Sequence, residues 1–103
     1  MKLLINIECV FGLDDPTNYL FHICDIIDAD YDNAFLIVHY SGSYFWYIDE
    51  VDVNVYNDNV DEIYDYVNGL YRKGFIQFFF IGQADEMPYS NSYKLADSNS
   101  LVH

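Results

Sequence analysis

The chain has 103 residues, 52 % of them hydrophobic, enough for one folded core and too apolar for wholesale disorder. Four Lys and Arg against seventeen Asp and Glu give a net charge of −13, which argues against nucleic-acid phosphate or an anionic membrane surface as a direct partner. No apolar run approaches the roughly 18 residues of a membrane span. Asn6 and Glu8 break the apolar start before a signal-peptide pattern develops, so an intracellular, cytoplasmic protein is expected.

In chain order, residues 3–11 alternate. Leu3, Ile5, Ile7, Cys9 and Phe11 share one face, predicting a strand buried on one side. Asp15-Pro16 reads as a helix start, with Asp as N-cap and Pro at the first helical position. Leu20, Ile23 and Ile27 then recur at helical spacing, predicting a helix over 16–29. A turn at 30–33 leads to an apolar strand at 34–40, a hairpin turn at 41–43 and a return strand at 44–49. Val51, Val53 and Val55 alternate with polar residues, so extension is predicted to continue to residue 56, as a bent continuation or a fifth strand. Asn57-Asp58 is taken as the cap of a second helix with a stripe of Val60, Ile63, Val67 and Leu70. Arg72, Lys73 and Gly74 end it, with cations at the negative pole and Gly at the cap. Residues 75–81 form the most apolar strand, and Gly82 stops it. One domain over 1–82 and a polar C-terminal tail over 83–103 are expected.

The order β-α-β-β-(β)-α-β predicts an α+β fold: two helices packed on one face of a four- or five-stranded, mainly antiparallel sheet, ferredoxin-like or related. That topology puts the last strand at an edge, yet 75–81 reads as apolar on both faces. Either the tail covers it, or it sits centrally in another topology, or it pairs with a second chain.

Motifs for chemistry are few. Asp28-x-Asp30-x-Asp32-Asn33 resembles the first half of a calcium loop, but Asn33 stands where Gly is needed and His39 where the bidentate Glu belongs. Cys9, Cys24, His22 and His39 lack zinc-ligand spacing, and both cysteines fall in or beside apolar faces, as buried thiols would. The five Gly are isolated, so no phosphate loop forms, and no catalytic constellation is present. We expect no enzyme, no catalytic residues, no metal and no cofactor.

The charge itself is the informative feature. Between Lys2 and Arg72 no Lys or Arg occurs over 69 residues, and thirteen of the seventeen carboxylates fall between Asp14 and Asp65 within that interval. Thirteen acids are Asp, short and stiff. Eleven Tyr, eight Phe and one Trp are more rings than so small a core hides. This composition suits a surface that receives a cationic partner. Two partner-binding surfaces are predicted. One is the outward face of the second helix: Asp58, Asp61, Glu62, Asp65 and Tyr66, at spacings of three and four. The other is a bend at Asp49, Glu50 and Asp52 beside Tyr47 and Tyr56, where extended geometry would set Glu50 and Asp52 about 6.6 Å apart on one side.

The expected function is an acidic inhibitory binding protein that occludes a basic active site or nucleic-acid-binding surface. The matching class is the immunity protein that neutralises a bacterial nuclease toxin. The alternatives are a viral nucleic-acid mimic that inhibits restriction or CRISPR defence, and a structural, oligomerising domain. The partner is a basic protein; no direct nucleic acid or membrane contact is expected, and the chain is a monomer or weak homodimer.

Overall fold

The structure, a computed structural model, describes residues 1–10 and 15–84. Its elements are β1 (Leu3–Cys9), α1 (Thr17–Ile26), a one-turn 3₁₀ helix (Tyr31–Asn33), β2 (Ala34–Tyr40), β3 (Ser43–Ile48), α2 (Val53–Arg72) and β4 (Ile76–Gln83). The four strands form one sheet in the order β2-β3-β1-β4, every neighbouring pair antiparallel. Two β-α-β units are thereby interleaved, the ferredoxin-like arrangement.

Antiparallel pairing fixes the ends of the sheet. Leu3 lies opposite Ile48 and Gln83, and Ala34 opposite Ile48, so β1 and β2 start where β3 and β4 finish. This is the lower end. The connection from α1 into β2 and the connection from β3 into α2 both lie there. The start of α1 and the end of α2 lie at the upper end.

One sheet face carries the helices. Leu3, Ile5, Ile7 and Cys9 of β1, Trp46 and Ile48 of β3, and Ile76 and Ile81 of β4 pack against Leu20, Ile23, Cys24 and Ile27 and against Tyr56, Ile63, Val67 and Leu70. The other face has no helix, yet β1 is buried there too, with Leu4 at 1 % exposure and Asn6 at 4 %. Their register neighbours are the cause: Leu4 lies between Tyr47 and Gly82, and Asn6 between Phe45 and Phe80. Gly82 leaves room for a ring, since a Cβ there would stand 3.1 Å from Cζ of Phe80. The Asn6 amide is satisfied across the strand, donating to Ser43 Oγ at 3.1 Å and to the Tyr44 carbonyl at 2.9 Å. A strand expected to have one buried face therefore has two, because long rings on its neighbours lean over it.

The segment 51–56 corrects an expectation. It is not a strand: Val53–Tyr56 is the first turn of α2, and the cap is Asp52 rather than Asn57-Asp58. The Asp52 carboxylate accepts from the backbone N–H groups of Asn54 (2.9 Å) and Val55 (3.2 Å), satisfying two orphan donors of the helix start. The sheet has four strands, not five. Helix α1 is shorter than expected, and its Asp15 caps from one position further out, accepting from the Thr17 N–H and hydroxyl.

At the other end of α2, Gly74 (φ +81°) donates to the Tyr71 carbonyl and Phe75 to the Leu70 carbonyl, both at 3.0 Å. This pair of bonds is a Schellman ending, and it turns the chain straight into β4. The last strand is at the sheet edge, and Gln83 belongs to it rather than to a tail. From residue 85 the expected tail lies outside the described residues, as does Phe11 of the first strand. No helix among the described residues is long and apolar enough to cross a membrane.

Candidate functional site

Thirteen carboxylates lie among the described residues, and their distribution is uneven. Only Glu8 projects from the helix-free sheet face, where Gln77 Nε2 donates to it at 3.1 Å. Asp28, Asp30 and Asp32 lie in the connection from α1 to β2, and Asp49, Glu50 and Asp52 in the connection from β3 to α2. Both connections occupy the lower end, and the backbone joins them: the Asp49 N–H donates to the Asn33 carbonyl at 2.9 Å. Six carboxylates are thereby gathered at one end by strand pairing.

The local structure holds these acids close to the backbone. Asp30 Oδ1 accepts from the Asp32 N–H, and Asp49 Oδ1 from the Glu50 N–H, each at 2.9 Å. Asp28 (φ 54°) and Glu50 (φ 56°) occupy the left-handed region, where a non-glycine residue is uncommon and a Glu more so than an Asp. Two cations share this end. The amino terminus donates to the Val51 carbonyl at 2.6 Å, and the Lys2 ammonium stands 5.3 Å from the centre of the Tyr47 ring.

The second set of acids follows α2. Asp58, Asp61, Glu62 and Asp65 are all exposed and lie away from the buried stripe of Tyr56, Ile63, Val67 and Leu70, as their spacing requires. Since α2 begins at the lower end, this ridge continues the six-carboxylate cluster along the helix. Exposed rings flank both parts. Phe21 of α1 and Tyr31, which stands between Asp30 and Asp32 in sequence, meet edge to face with centroids 4.2 Å apart, and Tyr64 stands on α2 between Asp61 and Asp65 in sequence.

The expected tyrosines fare differently. Tyr66 is half-buried at the α1–α2 seam, its ring 4.1 Å from that of His22, and burial raises its pKa. Tyr47 is half-buried on the helix-free face, away from the α2 ridge. Tyr56 is 8 % exposed and belongs to the core, so it presents no ring beside the bend. The extended spacing assumed for Glu50 and Asp52 does not hold either, since Glu50 is in a left-handed turn and Asp52 is a helix cap. Conversely, the association of Asp28, Asp30 and Asp32 with Asp49 and Glu50 was not foreseen. It depends on β2 and β3 being neighbours in a fixed register.

Cys9 and Cys24 are buried thiols, and burial pushes Cys24 up to about 11, with Asp25 and Asp30 adding to the effect, so it is protonated at neutral pH. No group of three or more His, Cys, Asp or Glu among the described residues is placed to hold a metal ion. Comparison of the chain with family models, with curated proteins and with solved structures returns no match.

Proposed function

We propose that the chain is an acidic inhibitory binding protein whose lower end and α2 ridge cover a basic active site or nucleic-acid-binding surface of another protein. The class we favour is the immunity protein of a bacterial nuclease toxin, acting in the cytoplasm and itself without enzymatic activity. A nuclease must be basic to hold its substrate, so a small anionic neutraliser meets it with a complementary field. One observation carries the proposal: ten carboxylates fall in three segments, six in the two connections that meet at the lower end and four on the outward side of α2, which starts at that end, with exposed Phe21, Tyr31 and Tyr64 on the same elements. The long-range field speeds encounter, and rings buried on contact slow dissociation.

The test is capture from lysate by the immobilised chain at low and high salt, followed by kinetics with the captured protein. A basic nuclease that elutes as salt rises is the expected result. Asp61→Lys combined with Asp65→Lys should lower its association rate by roughly 10-fold or more while leaving the circular dichroism spectrum intact. Capture of only neutral or acidic proteins, indifferent to salt, would overturn the proposal. An unchanged association rate would remove α2 from the contact.

A further inference from the structure

We propose that the cleft between α2 and β4 seats a large apolar side chain of the cationic partner, one that Lys or Arg flanks in that protein. This rests on the function proposed above and adds to the acidic surface the apolar anchor of the same contact.

The cleft is lined by Tyr64, Val67, Asn68 and Tyr71 of α2 and by residues 76–79 of β4. Val67 and Ile76 are buried, whereas Tyr64 at 43 % exposure, Tyr71 at 60 % and Phe78 at 45 % present their rings to water. The Tyr64 ring meets Phe79 edge to face with centroids 6.0 Å apart, so this wall is formed before a partner arrives and little order is lost on contact. The volume is about 270 Å³. That is below the roughly 300–1,000 Å³ of small-molecule sites and suits a protruding side chain better than a free ligand. None of the lining residues is charged, so covering the cleft takes no carboxylate of its own out of water.

Helix geometry sets the acids beside this cleft. At 3.6 residues per turn, each residue of α2 stands about 100° further round the axis than the last. Counted from Tyr64, Tyr71 lies about 20° and Val67 about 60° round toward the buried stripe, and Asn68 lies about 40° round the other way. Asp61 follows at about 60° and Asp65 at about 100° on that same side. The cleft wall therefore passes into the acidic ridge, with Asn68 between them.

Charge selects the occupant. Residues that flank the inserted side chain in the partner face Asp61 and Asp65, so Lys or Arg there is attracted and Asp or Glu repelled. Arg72 and Lys73 end α2 at the upper end, so the partner's cations lie toward Asp61 and Asp65 and not above the cleft. The acids speed encounter, and the apolar side chain, shielded from water among the rings, slows dissociation.

The test titrates the full chain with a peptide holding one Trp between two pairs of Lys. Two companion peptides carry Ala in place of Trp, or Glu in place of every Lys. Amide NMR signals report the site. The Lys-flanked Trp peptide should move the signals of Tyr64, Asn68, Tyr71 and Phe78 together with those of Asp61 and Asp65. Its affinity should fall about 10-fold or more when Ala replaces Trp, and binding should vanish with Glu. Tyr71→Ala should bring the Trp peptide down to the level of the Ala peptide, and Leu36→Ala, at the opposite edge of the sheet, should change nothing. Should Tyr71→Ala disturb the helix, Phe78→Ala on the β4 wall takes its place. Equal binding of the Trp and Ala peptides overturns the proposal and leaves the acidic surface as a purely charged contact. Equal binding of the Lys-flanked and Glu-flanked Trp peptides overturns it too, because the cleft then serves a neutral or acidic occupant. No binding, or binding that leaves the cleft signals unmoved, also overturns it. The function proposed above fails separately, on capture of only neutral or acidic proteins.

Discussion

The lower end and the β4 edge are opposite in chemistry, although the same sheet supports both. The lower end gathers six carboxylates on two short connections. The β4 edge presents exposed rings on a strand without charge, next to Arg72 and Lys73. A net charge of −13 describes neither region. Charge is segregated because the topology sends the Asp-rich connections to one end and routes the chain's central pair of cations to the other. The general consequence is that a strongly anionic protein can carry an apolar edge, because long-range repulsion from the acidic region slows indiscriminate association.

The largest effect expected is the collapse of this contrast. Ile63 is fully buried and ties α2, with its acidic ridge, to the sheet. Ile63→Ala should cost about 2–5 kcal/mol. Urea unfolding followed by circular dichroism should show a lower midpoint at unchanged slope. A loss under about 1 kcal/mol would mean that α2 is not seated as described, and the ridge would then have no fixed relation to the lower end.

Much of this frame is legible in the sequence. Alternation in 3–9, the helical stripe at Leu20, Ile23 and Ile27, and the Arg72-Lys73-Gly74 ending all locate their elements, because each is a local signal with a local cause. The exception is 51–56. Alternating Val residues favour extension, but Asp52 caps the helix, and burying Val51 just before it and Tyr56 on its inner side outweighs local β preference. The second buried face of β1 is likewise invisible, since Phe45, Tyr47 and Phe80 that cover it come from strands distant in sequence. The same holds for the site. The α2 acids follow from their spacing, whereas the union of 28–32 with 49–52 is tertiary and no window of sequence contains it.

Asp52 allows the structural and electrostatic roles of one lower-end acid to be separated. Asp52→Ala removes the hydrogen bonds to Asn54 and Val55 and should cost about 1 kcal/mol. Asp52→Asn keeps a good cap and deletes only the charge, so stability should stay within about 0.5 kcal/mol of the parent. Thermal unfolding of the two variants makes the comparison. If Asn behaves like Ala, the carboxylate's charge rather than its cap geometry holds the start of α2, and the acid is not available to a partner without loss of fold.

The smallest effect expected concerns Asp15, an acid away from the lower end. Its Oδ1 accepts from the Thr17 hydroxyl at 2.6 Å and from the Thr17 N–H at 3.0 Å. These bonds, the hydroxyl's first, hold its carboxyl below the usual value of 3.8. A depressed folded pKa means that the contribution to stability is present above the unfolded pKa and is lost as pH falls through the folded one, so its window lies below about pH 4. Thr17→Val deletes the hydroxyl and keeps the N–H. The Asp15 pKa, followed by carboxyl carbon NMR, should rise part of the way back toward 3.8. No movement would assign the whole depression to the backbone N–H. Because Asp15 is exposed and bound within its own turn at the upper end, this variant should also leave capture of a cationic partner unchanged. A drop in capture would extend the anionic surface beyond the lower end and the α2 ridge, and so weaken the contrast between the two regions.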